Sequence, residues 1–547
     1  MRTHVSQYMA GGGLLLGLMA CSGDSLNVVN VNNPDVARAY ATPAGVEGVV
    51  AGLGVQLFNT QRATESVNTQ ARILSGENIA SVANFGMAAR SVIPRSVISN
   101  ELGNDNQVGN LANFNNFSRV GRTASNAIAA VNRLATTGQT IGSPAQDARA
   151  KAFGYYILGQ ALANLALAYD SAAIVTPATP SDEVPGLSGS TQVAAAALQM
   201  LDSAIAIANS AAASSGANGF PLPTTWISGV GLTRLDFVRL SRSYKARIRA
   251  GIARTPSARA AVDWAAVIAD ATNGISADFT VSLGGTTGWT ATYDFNTMYN
   301  PGGWHAIPYF YYGMSDVSGS YDAWLATPIA ARGAFTITTP DRRWPSGATR
   351  AGQQAQAPTV ALPAGVYFRN RPTGEDVPLV GPGDSQYDHR RYGAQWLNTV
   401  TGLYTEMSKT EMDMLAAEGH IRTGNLPAAI TLVNVTRVKN GLDPVGNVAS
   451  ATAAYSTNLA TCVPRVPVAP SFTTTVCGSL LEAMKYEKRM ETAFTGYFIW
   501  MADNRGWGDL VEGTPVEWPV PYQEMQARQN QPYYNGTNRA PRGTYGF

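Results

Sequence analysis

Residues 404–422, YTEMSKTEMDMLAAEGHIR, and 426–440, LPAAITLVNVTRVKN, flank Thr423-Gly424-Asn425, and this stretch decides how the chain folds. Apolar residues recur at spacings of three and four on both sides, which is the period of a one-sided helix. Gly424 stands where a helix stops, because glycine enters the left-handed region without steric cost. The spacing predicts two antiparallel helices of roughly tetratricopeptide-repeat length.

The same pattern recurs upstream. Helical periods run over 43–68 and 111–135, and 147–169 (DARAKAFGYYILGQALANLALAY) pairs with 191–213 (TQVAAAALQMLDSAIAIANSAAA) across a Pro- and Ser-rich connector. Residues 234–254 and 258–273 form another pair, divided at Thr255-Pro256, where proline pushes the preceding residue out of the helical region. A last helix is predicted over 478–501. Alanine-rich faces let these backbones approach closely. The fold expected is therefore mainly α, an α-solenoid of tetratricopeptide-like pairs at about 43–273 and 404–501. Between 275 and 396 the period vanishes into Gly, Pro, Thr and aromatic residues, with β-prone pieces such as AFTITT at 334–339. That half is predicted to be loop-rich with small hairpins, and so long an irregular region in a compact protein is usually functional.

Composition excludes whole classes of function. The chain has 547 residues with 39 Lys+Arg against 37 Asp+Glu, a net charge of +2, so no bulk nucleic-acid partner is implied. Hydrophobic residues reach 45%, which rules out general disorder. Beyond the first twenty residues the only histidines are His305, His389 and His420, none clustered with another, and neither a metal nor a cofactor is expected.

Arg2 precedes the uncharged stretch MAGGGLLLGLMA at 9–20, too short for a bilayer core of about 30 Å but of signal-peptide length. It ends Leu18-Met19-Ala20-Cys21, which resembles the bacterial lipoprotein box, so residues 1–20 should be removed and Cys21 lipidated. Residues 21–42 would be anchor and tether, and 43–547 a single domain held to the membrane by its lipid. Cys462 and Cys477 close a Pro-, Thr- and Val-rich loop; in an exported protein they read as a local disulfide, with a free buried pair as the alternative.

Several blocks then resemble one family in order. In 404–442 the residues Ala417, Glu418, Gly424, Asn425, Ala429, Asn434, Arg437 and Gly441 match a helix pair of the SusD/RagB outer-membrane nutrient-binding lipoproteins. In 481–510, LEAMKYEKRMETAFTGYFIWMADNRGWGDL, the matches are Glu487, Arg489, Glu491, Gly496, Asp503, Arg505, Trp507 and Gly508. Pro519, Pro521 and Glu524 fit the closing motif, while Lys488 and Thr495 depart from the usual Arg and Glu. The resemblance implies a SusD-like, non-catalytic receptor facing the cell exterior. It would lie over a SusC-like TonB-dependent transporter and capture an oligomeric nutrient, an oligosaccharide or a peptide.

Glu487 and Glu491, four apart on one helix face, superficially form a carboxylate pair for glycoside hydrolysis. Lys488, Arg489 and Arg505 are near enough in sequence to neutralise them, which would lower their pKa and make poor general acids. A structural network, with Asp503, is the reading adopted; a surface glycoside hydrolase and a helical-repeat assembly lipoprotein are its rivals. Glu418 and Arg437, on successive helices, invite an interhelical salt bridge.

The window 289–324 holds eleven aromatic residues and no Lys or Arg, in a chain that is 9% aromatic. Rings without cations do not suit phosphates; they suit the C–H faces of sugars or peptide side chains. The alternative for each ring is the local core of a helix-poor half. Ligand contacts are expected from Trp289, Trp304, Tyr311 and Trp324, with hydrogen bonds from Asn104 and Asn106 in ELGNDNQVGN. That Asn- and Asp-rich loop lacks the twelve-residue calcium pattern and reads as a solvated turn.

Overall fold

The structure is a computed structural model. It describes residues 39–63, 66–101, 108–210, 219–299, 304–356, 362–375, 385–533 and 538–547.

The long helices begin and end where local chemistry dictates. Thr42 caps α1 (Pro43–Gln61) by accepting from the Gly45 N–H, with Pro43 in the first turn, where no donor is needed. Ser66 caps α2 (Val67–Ser75), and Gly76, at φ +78°, ends it. Then follow α3 (Val108–Thr136), α4 (Pro144–Ala168), α5 (Ser190–Ala208), α6 (Arg234–Gly251) and α7 (Trp264–Thr272). Later come α8 (Lys409–Arg422), α9 (Leu426–Lys439), α10 (Leu480–Thr492) and α11 (Ile499–Trp507). Shorter helices are given by residue range.

The long helices pack in series, α1 on α3, α3 on α4, α4 on α5, α5 on α6, α6 on α7, α7 on α8, and α8 on α9 and α10, while α2 lies against α11. The prediction of a mainly helical solenoid holds. Two glycines on α4 bring its neighbours close. A Cβ on Gly154 would meet Ile128 of α3 at 2.8 Å, and one on Gly159 would meet Leu201 of α5 at 2.9 Å. By length and hydropathy α5 could cross a bilayer, but here its apolar face, Val193, Ala197, Leu201 and Ala204, is packed inside the protein.

Helices α7 and α8 are spatial neighbours although the whole irregular half separates them in sequence. The reason is a ribbon: β3 (Phe279–Leu283), just after α7, pairs antiparallel with β6 (Gly402–Met407), just before α8. The chain leaves the solenoid along one strand and returns along the other. A second ribbon within the insert joins β4 (Phe368–Asn370) to β5 (Tyr387–His389). Two small ribbons lie outside it, β1 (Ser171–Ala173) with β2 (Leu187–Gly189), and β7 (Arg465–Pro467) with β8 (Thr475–Cys477). Cys462 and Cys477 are bonded beside the last, and Arg465 ties it to Asp322 at 2.7 Å.

Several boundaries differ from the periodicity. Residues 404–407 are strand, and the helix starts only after Ser408 caps it. The span 258–273 breaks in two, because Asp263 caps a new helix by accepting from the Ala266 N–H. The span 478–501 also breaks, at 493–498, where Phe494, Gly496 and Phe498 all have positive φ. Side chains from α2 and its end hold that break: Asn68 accepts from the Phe498 N–H at 2.8 Å and Glu77 from the Phe494 N–H at 2.5 Å. The β-prone 334–339 forms no strand. The Ile337 N–H donates instead to the Tyr387 hydroxyl at 3.1 Å and the Thr338 N–H to Asp316 at 2.9 Å. Short helices at Thr292–Tyr299, Ser320–Ala326 and Arg350–Gln356 lie in the half predicted to be loops and small hairpins.

Candidate functional site

The aromatic window is knitted into the core by its neighbours. Ile79 and Ala306 exchange backbone hydrogen bonds at 3.0 and 2.9 Å, which lays residues 304–307 along 78–80. His305 fixes the join: its Nδ1 meets Asn78 Oδ1 and its Nε2 accepts from the His389 N–H at 2.9 Å. An accepting Nε2 requires a neutral ring, and burial accordingly pushes His305 down to about 3.

Trp304, one residue earlier, stays half-buried, with its ring 6.3 Å from that of Phe85 and tilted 59° to it. Phe85 is also half-buried and has φ +56°, a conformation that aromatic residues seldom adopt. The Arg90 guanidinium donates to the Phe85 carbonyl and holds that turn. Ile73, Ala80 and Met87 form the floor beneath the two rings, and exposed Asn84 stands at the edge. Two half-open rings with an amide beside them make a surface that can stack on an apolar face and accept or donate at its rim.

The other three predicted rings belong to the core, which corrects the sequence reading. Trp289 is 5% exposed and packs on Phe58 of α1 at 4.8 Å between ring centres. Tyr311 is 1% exposed; its hydroxyl donates to the Asp509 carbonyl at 3.1 Å and accepts from Asn504 Nδ2 at 2.9 Å. Trp324 lies beneath the Arg332 guanidinium, 4.4 Å away, between Tyr309 and Phe335. A half with short helices and three-residue strands has few long apolar faces, so bulky rings supply its buried area. Asn104, Asn106 and Cys21 lie outside the described residues.

The window's carboxylates are also taken up by protein donors, two of them by cations from elsewhere in the chain. Asp294 is buried 3.0 Å from Arg72 of α2. Asp316 accepts from the Tyr321 N–H at 3.0 Å, and Asp322 holds Arg465.

Glu487 and Glu491 are enclosed, but not by the predicted partners. Arg343, from the irregular half, lies 3.0 Å from Glu487 and 3.1 Å from Glu491, and 2.8 Å from Asp341. Arg437 lies 3.5 Å from Glu487, and the Tyr367 hydroxyl donates to Glu491 at 2.9 Å. Lys488 turns to Asp503 at 2.8 Å, Arg489 to Asp509, and Arg505 to backbone carbonyls, because successive helical positions face different neighbours. The direction of the shift is corrected too: burial pushes Glu487 up to about 7 against the pull of Arg343 and Arg437. Glu418 and Arg437 do not pair either. Glu418 faces α6 and α7 and binds Arg259 at 2.6 Å, whereas Arg437 faces α10. Phe85, Asn78 and Arg343 were not singled out by the sequence; an aromatic between asparagine and glycine, in Asn84-Phe85-Gly86, is the one local sign that a ring sits on a turn.

No protein-family model and no curated protein matches the sequence. Solved structures do resemble the fold. A SusD superfamily protein from Bacteroides thetaiotaomicron VPI-5482 superposes with a TM-score of 0.52 at 12% identity, covering 92% of this chain and 100% of that one. A SusD homolog from Parabacteroides distasonis ATCC 8503 gives 0.51 at 12% identity, covering 88% and 93%. The chain has the SusD-like fold: a helical-pair solenoid that carries a loop-rich half.

Proposed function

We propose that the protein is a SusD/RagB-type lipoprotein of the cell surface that captures an oligomeric nutrient, a glycan or a peptide, and delivers it to a SusC-like TonB-dependent transporter. The observation that carries this reading is the half-open pair Trp304 and Phe85, in the irregular half and beside it, on a SusD-like scaffold. Such rings match the C–H faces of sugars and the side chains of peptides. The Leu18–Cys21 box supports anchoring to the outer membrane through a lipid on Cys21. Binding without catalysis is supported by the burial of Glu487 and by the two arginines that face it, which leave a scissile bond no approach.

Isothermal titration against glycan and peptide panels tests the reading. One class should bind saturably to the wild type and lose affinity in Trp304→Ala and Phe85→Ala while circular dichroism stays unchanged. If both variants bind a confirmed ligand as the wild type does, the site is wrong. Turnover of an oligosaccharide that Glu487→Gln abolishes without unfolding would favour the hydrolase instead. Mass spectrometry of membrane-extracted protein should find an acylated Cys21.

A further inference from the structure

A cavity of about 330 Å³ opens at the far end of α6, where the segment after Gly251 meets the end of α11 and the C-terminal chain. Its charged lining is three guanidiniums, Arg254, Arg505 and Arg539, against one carboxylate, Glu517. Pro256, Leu510 and Val516 form apolar walls. None of these residues touches the Trp304 and Phe85 pair. We propose that this cavity binds a small organic ligand through a carboxylate held by Arg254, Arg505 and Arg539.

The argument starts from Arg505, which is 2% exposed and makes no ion pair among the described residues. It donates to the carbonyls of Val516 at 2.7 Å and Gly251 at 3.0 Å, which satisfy two nitrogens but cancel no charge. Arg254 donates to the carbonyls of Ala166 at 2.9 Å and Tyr169 at 2.6 Å and shares Glu517, which also accepts from the Asn538 amide. The Nε atoms of Arg254 and Arg505 are both buried without an acceptor. Arg539 is exposed and unpaired among the described residues.

Arg95 and Arg371 are likewise buried with backbone carbonyls as partners, but neither shares this cavity with other guanidiniums; Arg505's own neighbour in the chain fold is ion-paired. Arg259 has Glu418 at 2.6 Å and Asp503 at 3.1 Å. Asp503, on the same helix as Arg505, is thereby taken up by Arg259 and Lys488. A buried cation without a counter-charge is costly, and an anion entering beside it recovers part of that cost. Burial, with repulsion from Arg254 and Arg259, holds Arg505 well below the usual arginine range, and burial brings Arg254 to about 10. Arg254 has Glu517 as its counter-charge, so it is Arg505 whose positive charge the described residues leave without a carboxylate.

The chemistry of the lining narrows the ligand. Guanidiniums match a planar carboxylate through paired N–H donors. Apolar walls call for a carbon skeleton rather than a bare inorganic ion. The volume lies at the lower end of the roughly 300–1,000 Å³ of small-molecule pockets, which suits a single uronic-acid-sized unit and no polyelectrolyte.

The test is isothermal titration of the purified mature protein with galacturonate, galactose and sulfate at one ionic strength. Galacturonate should bind saturably, with galactose and sulfate each at least about tenfold weaker. Arg539→Gln, a change at an exposed position, should weaken galacturonate about tenfold and leave the thermal midpoint in place. Trp304→Ala should leave galacturonate binding unchanged, so failure of the aromatic site and failure of this one read out separately. Absence of saturable heat, equal binding of galactose or sulfate, or an unaffected Arg539→Gln would each overturn the proposal.

Discussion

The solenoid and the irregular half solve the same problem by different means. In α4, residues Pro144–Ala168 satisfy their own backbone, so the interior can be Ala, Leu and Gly and the neighbouring helices can come close. In the irregular half the chain rarely pairs with itself, and side chains take over: Tyr387 and Asp316 satisfy 337–338, and Asp316 serves residue 321 as well. Each such side chain must be buried and met in turn, and so the insert is dense in ion pairs and rings. The two halves should therefore fail under different substitutions.

The largest effect should come from Arg343, where the halves join. It reaches Asp341 on the insert and both Glu487 and Glu491 on α10, and all four groups are buried. Arg343→Met leaves Asp341 and Glu491 without their guanidinium and Glu487 with Arg437 alone, and should cost about 3–5 kcal/mol. Urea denaturation at pH 7 checks it; a loss below about 1 kcal/mol would mean that the insert does not depend on this hub.

Next come the rings. Trp324→Ala removes a buried side chain and should cost about 3–5 kcal/mol. Trp304→Ala removes a half-exposed one and should cost less than about 1.5 kcal/mol. Only the second should reduce affinity for a ligand out of proportion to stability. Thermal melts beside titrations separate the two, and the reverse order would exchange the roles assigned to the rings.

The pH dependence is subtler, because buried groups oppose one another. His305 stands at about 3 in the folded protein and near 6.5 unfolded, so its contribution is present above pH 6.5 and is lost as pH falls. Glu77 and Glu487 stand at about 7, raised by burial, so their contribution is present below the unfolded value near 4.5 and is lost as pH rises through 7. Between pH 6.5 and 4.5 the slopes cancel in part. His305→Gln deletes one side of the balance. Its stability relative to the wild type should rise by about 1.4 kcal/mol for each unit of acidification below pH 6.5. Urea midpoints at pH 7, 6 and 5 measure this; a constant gap would show that His305 is not held neutral.

What the sequence made legible follows the same division. The helix pairs were readable because a period of 3.6 and caps such as Ser408, Gly424 and Thr255 are local signals. The break at 493–498 was not, since Asn68 and Glu77, which hold it, lie more than four hundred residues away in the chain, whereas the break at 261–263 rests on Asp263, a local cap that the unbroken helical period masked. The aromatic window was recognisable as a cluster, yet composition could not say which ring faces water. That choice rests on the pairing of Ile79 with Ala306, which turns Trp304 toward the surface while its neighbours turn in. Arg343 escaped because its partners come from a helix far along the chain, and charge spacing within that helix pointed to Lys488 and Arg489 instead.

The smallest effect belongs to the solenoid's outer face. Arg239 and Asp236 sit three apart on α6 at 3.6 Å, with side chains 37% and 47% exposed. Water and salt screen such a pair, and fixing two long side chains costs entropy that offsets most of the attraction. Arg239→Ala should therefore change stability by less than about 0.5 kcal/mol. Set beside Arg343→Met, this is the sharpest form of the contrast: one chemical type, arginine with carboxylate, worth several kilocalories where the insert buries it against α10 and almost nothing on a helix face that water reaches. If the two substitutions cost the same, burial of the Arg343 hub adds nothing to it, and the insert must be held against α10 by its packed rings.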